Sequence, residues 1–107
     1  MKKLPPVKPG EILMEEFIVP LGLNRSRLAD ELSVPRNRIA QIVKGTREIT
    51  ADTALRLARY FGTTPEFWMN AQAHYNLERA KDSIGESIKK RVKQRGVGVA
   101  EVIICSQ

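Results

Sequence analysis

The residues best suited to chemistry in this chain are amide and basic side chains that recur at helical spacing between positions 36 and 44. Asn and Gln can each pair bidentately with adenine, and Arg can pair with guanine. At 100° per residue, Asn37, Gln41 and Lys44 fall on one side of a helix, while Ile39 and Ile42 fall on the other. This pattern predicts a helix that reads base edges in the major groove of DNA.

We assign the polar residues of this region to two roles. Base contacts are expected at the N-terminal end and on the outer face of the helix, where such helices usually meet base edges. These residues are Arg36, Asn37, Ala40 and Gln41. Phosphate contacts are expected from side chains near helix ends, namely Arg25, Ser26, Arg38, Lys44 and Arg47. Any solvated surface helix also has a polar outer face, so the face alone leaves that alternative open.

A helix-turn-helix would present this face to a ligand. Asn24 is a good N-cap for a helix that runs to Leu32, and a turn at 33–34 follows. Pro35 suits the first position of the next helix, which Gly45 ends. The small residue Ala29 lies where the two helices must cross closely.

Three further helices are expected around this pair. Pro9 can start a helix that runs to about Val19. Thr50 caps a fourth helix, which Gly62 closes, and Thr64 caps a fifth that opens with proline and glutamate. The predicted fold is therefore all-α, a five-helix domain. We place an N-terminal arm at 1–8, the DNA-binding domain at 9–78 and a basic C-terminal extension at 79–107.

The C-terminal extension supports several interpretations. Ile84, Ile88 and Val92 recur every four residues, which predicts a sixth, basic helix, and the β-branched residues 99–105 predict a short strand. The basic residues could form a solvated face, a second DNA contact or part of a dimer. We favour dimerisation through 99–105, because an exposed apolar terminal segment invites pairing.

The charge of the chain points to an anionic partner. Among 107 residues, 18 Lys and Arg stand against 12 Asp and Glu, which gives a formal net charge of +6. Residues 24–47 contain six basic and two acidic residues, and residues 79–95 contain seven and two. The positive charge is thus concentrated in two blocks, one of which is the helix-turn-helix.

Several classes of protein are disfavoured. Cys105 is the single cysteine, which excludes an intrachain disulfide and a multi-cysteine metal site. His74 has no nucleophile or carboxylate constellation around it in sequence, so we predict no catalytic residues, no metal and no cofactor. The chain has no apolar run of membrane-spanning length and no signal sequence, which predicts a cytoplasmic protein without a membrane partner. Phe67 and Trp68 could bind a partner, but we expect at least one to anchor the fifth helix.

Three separated segments together resemble one known family. Residues 23–45, LNRSRLADELSVPRNRIAQIVKG, resemble the helix-turn-helix of the lambda-repressor-like (XRE/Cro) superfamily. Residues 8–24, KPGEILMEEFIVPLGLN, and residues 49–77, which include TPEFWMNAQ, resemble HigA-type antitoxins. The resemblance covers roughly residues 7–78 and is specific because the three segments match in order.

This resemblance implies a DNA-binding domain, usually a homodimer, that represses its own toxin–antitoxin operon and neutralises a HigB-type ribonuclease. Ser33 departs from the pattern, because the superfamily often has glycine there. Serine is less stable in the left-handed conformation, so we expect a slightly shifted turn. Two alternatives stay open: a stand-alone XRE-type transcriptional regulator, and a protein-interaction module whose helix-turn-helix is vestigial.

Overall fold

The computed structural model describes residues 7–95, which form five helices and no strand. The helices are α1 (Pro9–Leu13, continued by a π-helical segment over Met14–Ile18), α2 (Arg25–Leu32), α3 (Arg36–Lys44), α4 (Ala51–Phe61) and α5 (Pro65–Arg91). The predicted all-α, five-helix class is confirmed.

The helix boundaries follow from capping chemistry. The Asn24 side chain accepts a hydrogen bond from the backbone N–H of Arg27 at 2.7 Å, and Thr64 Oγ1 accepts one from Phe67 at 3.1 Å. Gly45 and Gly62 end α3 and α4 in the left-handed conformation that glycine adopts most readily.

One predicted boundary is off by a residue. Pro35 precedes α3 as its N-cap, with an extended ψ of 143°, instead of occupying the first helical position. The helix therefore begins at Arg36, and this residue forms the exposed N-terminal corner of α3.

The core is built from one apolar stripe of each helix, together with Val34 and Ile49 from the connections before and after α3. Its fully buried large side chains are Leu13, Ile18, Leu28, Ile39, Ile42, Ile49, Leu57 and Trp68. Each contributes about 1.5–3 kcal/mol relative to leaving it exposed. Because Ile39 and Ile42 belong to this set, burying them turns the opposite side of α3 towards solvent.

Gly10 allows α1 to touch the backbone of α3. A Cβ atom built on Gly10 would overlap the carbonyl oxygen of Ile42 and lie 2.9 Å from Val43 Cα. Both neighbours are backbone atoms, so they cannot move aside by changing rotamer. The position of α3 therefore depends directly on α1, because the backbones of the two helices touch here with no side chain between them.

An aromatic cluster joins α1, α4 and α5. The ring of Phe17 lies 4.8 Å from Phe61 and 5.0 Å from Trp68, measured between centroids. Trp68 is fully buried and its indole N–H donates to Thr63 Oγ1 at 2.8 Å, whereas Phe67 is 41% exposed. The expectation that at least one of this aromatic pair anchors the fifth helix is confirmed.

The predicted break between a fifth and a sixth helix does not occur. α5 runs without interruption from Pro65 to Arg91, about 40 Å at 1.5 Å per residue. No proline follows Pro65 in this stretch, and Gly85 costs only about 1 kcal/mol in a helix interior, too little to end it. Beyond Gln72 no residue of α5 is buried. The strand expected at 99–105 lies outside the described residues.

Candidate nucleic-acid interface

The turn between α2 and α3 is tight and defined by hydrogen bonds. Ser33 adopts the left-handed conformation, with φ 59° and ψ 46°, and is the single non-glycine residue of 7–95 with a positive φ. Its N–H donates to Asp30 O at 3.1 Å, and the N–H of the buried Val34 donates to Ala29 O at 3.0 Å. Ser33 thus adopts the left-handed conformation, which is less stable for serine than for glycine, while the expected slight shift of the turn stays a prediction.

The outer face of α3 is open where base contacts are expected. Asn37 and Lys44 are exposed, and within residues 7–95 their side chains have no hydrogen-bonding partner. Ala40 and Gln41 are half-buried on the same side, away from Ile42. This arrangement leaves an amide and an ammonium free to meet an external ligand.

Arg36 lies at the first position of α3 and is paired across the turn. Its Nε donates to Asp30 Oδ1 at 3.1 Å and its Nη2 donates to Asp30 Oδ2 at 2.8 Å. The hydrogen bonds from Arg36 hold the pKa of Asp30 below its ordinary value of 3.8, and the same pairing raises the pKa of Arg36. Both side chains stay more than half exposed, so the pair lies on the surface.

Gln41 and Arg47 are brought together at the C-terminal end of α3. Arg47 Nη1 donates to Gln41 Oε1 at 3.3 Å, while the backbone N–H groups of Gly45 and Thr46 both donate to Gln41 O at 3.0 Å. A residue expected to contact bases and one expected to contact phosphate thus touch each other. The loop after α3 folds back onto the helix. It keeps the Arg47 guanidinium near the outer face of α3 formed by Asn37, Ala40, Gln41 and Lys44, which we call the predicted reading face.

Arg25 and Ser26 lie at the opposite end of the motif. Both are exposed in the first turn of α2, where backbone N–H groups have no partner within the helix. Such an end favours an anion, because unpaired N–H groups and the helix dipole point towards it. The predicted reading face is therefore flanked by positive groups at the start of α2 and near the end of α3.

Arg38 does not join this set. Its side chain is only 22% exposed, and its Nη1 donates to Asp52 Oδ2 at 2.7 Å. On a helical wheel Arg38 lies only about 40° from Ile42, which turns it towards the N-terminus of α4. The structure thus places Arg38 in an intramolecular ion pair, apart from the other residues expected to contact phosphate.

The ion pair of Arg38 extends into a network that the sequence analysis missed. Arg56 Nε also donates to Asp52, and Arg56 Nη1 donates to the carbonyl oxygens of Leu32 at 2.8 Å and Ser33 at 3.2 Å. Hydrogen bonds from Arg56 and then Arg38 lower the pKa of Asp52. One carboxylate and one guanidinium thereby tie the end of α2, the turn and α3 to α4.

Gln72 is a second missed residue, and it anchors the loop that carries Arg47. Its buried Oε1 accepts a hydrogen bond from the backbone N–H of Ile49 at 2.8 Å, and its Nε2 donates to Asn76 at 3.0 Å. Hydrophobic periodicity gives no signal for a buried polar residue, so only its tertiary contacts reveal this role. The loop between α3 and α4 is in this way fixed to α5.

The part of the chain covered by residues 7–95 has no group of three or more His, Cys, Asp or Glu side chains arranged to hold a metal ion. Within that same part, no helix is both long enough and apolar enough to cross a membrane.

Comparison with known proteins identifies the family. A helix-turn-helix family model, HTH_3, matches residues 14–68. An uncharacterised HTH-type transcriptional regulator of Haemophilus influenzae is 49% identical over 72 residues, which is 67% of this chain and 67% of that protein.

Two solved structures are similar along most of the chain. A HigA-family addiction module antidote protein from Coxiella burnetii is 47% identical, with a TM-score of 0.81 over 85% of this chain and 99% of that one. The Pseudomonas aeruginosa antitoxin HigA, solved with the higBA promoter, is 38% identical, with a TM-score of 0.83 over the same shares. The chain belongs to the HTH_3 family of helix-turn-helix proteins, and its structural neighbours are HigA-family antitoxins, as its three sequence segments indicated.

Proposed function

We propose that this protein is a sequence-specific DNA-binding antitoxin that represses its own operon as a dimer and neutralises a HigB-type ribonuclease. The observation that carries the DNA-binding part is the open face of α3. Among residues 7–95, Asn37 and Lys44 have no hydrogen-bonding partner there, and positive groups flank them at the start of α2 and near the end of α3. The similar P. aeruginosa antitoxin, solved with promoter DNA, supports this use of the fold.

In the proposed complex α3 enters the major groove. Arg36, Asn37, Ala40 and Gln41 contact bases, and Arg25, Ser26, Lys44 and Arg47 contact phosphates. The Arg38 side chain is only 22% exposed and is paired with Asp52, so little of its guanidinium is accessible to a phosphate. We therefore assign it first to holding α3 against α4.

A dimer is supported by the exposed half of α5. The helix exposes Leu77, Ile84 and Ile88, spaced by seven and four residues, and Val92 follows at its C-cap; all four are 48–66% exposed. Apolar residues with helical spacing favour burial against another helix, and a second copy would provide an equivalent one. Pairing two copies would present two α3 helices to two half-sites about 34–36 Å apart.

The toxin-binding part of the proposal is supported by the HigA-family neighbours. The H. influenzae relative, an HTH-type transcriptional regulator, favours a second candidate, a stand-alone regulator without a toxin. Both candidates predict a cytoplasmic protein that binds DNA through α3. Only a test for a bound toxin therefore separates them.

Two measurements test the proposal. Selection of bound sequences from random DNA, combined with a solution mass of the complex, should give a palindromic site occupied by two chains. Co-expression with the reading frame next to its gene should give a co-purifying complex whose ribonuclease activity is suppressed. Specific DNA binding without any co-purifying protein would favour the stand-alone regulator. No specific binding at micromolar protein and moderate salt would refute both candidates.

A further inference from the structure

The ion pair between Arg36 and Asp30 leaves one edge of the guanidinium unused. Asp30 accepts from Nε and from Nη2, so the carboxylate covers the Nε–Nη2 edge. A guanidinium has five N–H donors in a fixed plane, and this pairing uses two of them. The three that remain lie on Nη1 and Nη2, at the far end of the side chain.

That free end has the donor geometry that guanine requires. Bidentate recognition of guanine by arginine needs two parallel N–H donors for O6 and N7, and the Nη1–Nη2 end supplies them. Arg36 is the first residue of α3, and the N-terminal residues of a recognition helix are those that usually contact base edges. Its side chain is 66% exposed, so the pair with Asp30 does not cover it.

We propose that Asp30 is a positioning residue that holds Arg36 in the orientation in which its free Nη edge reads a guanine. The inference rests on the proposed function, since it concerns the DNA site of the same helix. It adds the identity of one base and a residue of α2 that sets specificity without touching DNA.

The position of Asp30 suits this role. It follows Leu28 and Ala29, both fully buried, and its own backbone carbonyl accepts the N–H of Ser33 in the turn. The carboxylate is therefore attached to a rigid part of the backbone. An unpaired arginine must give up its rotamer freedom on binding, whereas an arginine already held in its binding orientation gives up less. The lowered pKa of Asp30 agrees with an ionised pair at neutral pH.

The test compares Asp30→Asn with Glu31→Gln. Both variants remove one negative charge from neighbouring exposed residues of α2, but Glu31 pairs with Arg27 and not with Arg36. Binding is measured to the DNA site selected by the parent protein and to duplexes with each base pair changed in turn. Thermal melting of each variant shows whether it is folded.

Removing a negative charge should strengthen binding of both variants to all sequences alike. Asp30→Asn alone should also lose discrimination at one position. The preference of the parent for guanine there, about 5- to 150-fold for a bidentate arginine, should fall at least about threefold. Arg36→Ala should abolish the preference at the same position, and Asp30→Glu, which keeps a carboxylate, should restore part of it.

Three outcomes would overturn the inference. The first is that Asp30→Asn and Glu31→Gln have the same base preferences as the parent, which would leave Asp30 with no positioning role. The second is that Arg36→Ala keeps the preference, which would show that Arg36 does not read the base. The third is that the position lost in Asp30→Asn differs from that lost in Arg36→Ala. If the parent itself selects no DNA sequence, it is the proposed function that fails, and this result is recognised before any variant is made.

Discussion

Replacing Gly10 by alanine tests whether direct backbone contact with α1 fixes the position of α3. The added Cβ would overlap Ile42 O and lie 2.9 Å from both Ile42 C and Val43 Cα. Carbon atoms pack at about 3.5–4.0 Å and the overlap with Ile42 O is more severe than either carbon contact, so α1 and α3 must separate by roughly 1 Å or the backbone must bend. The residues that would move are those directly beneath the proposed reading face.

The expected size of the effect combines two terms of opposite sign. Overpacking a core typically costs about 1–3 kcal/mol, and the upper half applies here because the obstructing atoms are backbone. Alanine in place of glycine within a helix returns at most about 0.5–1 kcal/mol. The net expectation is a loss of about 1–2.5 kcal/mol in the free energy of unfolding. For a domain of this size, that lowers the melting temperature by about 4–20 °C.

Gly85→Ala is the matched control for the same chemical change. Gly85 lies inside α5, where a new Cβ would meet no atom closer than Lys81 Cβ at 3.9 Å. This variant should therefore gain about 0.5–1 kcal/mol from helix propensity alone. Thermal unfolding by circular dichroism measures both variants, and operator titration shows whether α3 has shifted. A Gly10→Ala protein that melts at or above the parent temperature would refute the close approach of α1 and α3.

Four further predictions concern the turn, the interface and the anchoring residues. Ser33→Gly should raise the free energy of unfolding, measured by chemical denaturation, by about 0.5–1 kcal/mol, because glycine adopts φ 59° without strain. The control Ser83→Gly makes the same change inside α5 and should lower the free energy of unfolding by about 0.5 kcal/mol. Gln41→Ala should relax base preference, while Lys44→Ala should weaken binding to every sequence and reduce the slope of log K against log salt by about 0.9. If both variants bind DNA like the parent, α3 is not the helix that enters the major groove. Gln72→Leu should cost about 1–3 kcal/mol, because the buried N–H of Ile49 loses its acceptor, and hydrogen exchange at that amide should accelerate. Asp30 and Asp52 have lowered pKa values in the folded protein. The stability that their ion pairs contribute is therefore fully present above about pH 4, and it is lost as the pH falls through the lower pKa of the folded state. Melting curves of Asp52→Asn should accordingly show a weaker acid dependence than those of the parent.

Local chemistry made most of the fold predictable. Asn24, Thr64, Gly45 and Gly62 begin or end helices by satisfying backbone groups within a few residues, so their signals can be read from neighbouring positions. The continuity of α5 was not predicted, because no local signal marks a helix that continues after its apolar pattern weakens. A weakening of the apolar pattern after residue 79 indicates exposure, and it does not end a helix in the absence of proline.

Tertiary contacts account for what the sequence could not predict at the interface. Arg38 was expected to contact phosphate because it is basic, but its partner Asp52 lies 14 residues away on another helix. Arg56 and Gln72 bind backbone groups 23–24 residues distant, and no local pattern marks such pairs. A wheel projection did contain a partial signal, since it places Arg38 near the edge of the buried stripe.

In the proposed dimer, the long α5 separates the reading of each half-site from the spacing between the two half-sites. The reading face depends on α2, α3 and the helices behind them, whereas α5 beyond Gln72 buries no residue. In the proposed dimer, each residue inserted into that half would rotate everything after it by about 100° and advance it by about 1.5 Å. The spacing and mutual orientation of two half-sites can thus change in helical increments while the reading of each half-site stays the same. Operators with altered spacing would be reachable through length changes in one exposed helix.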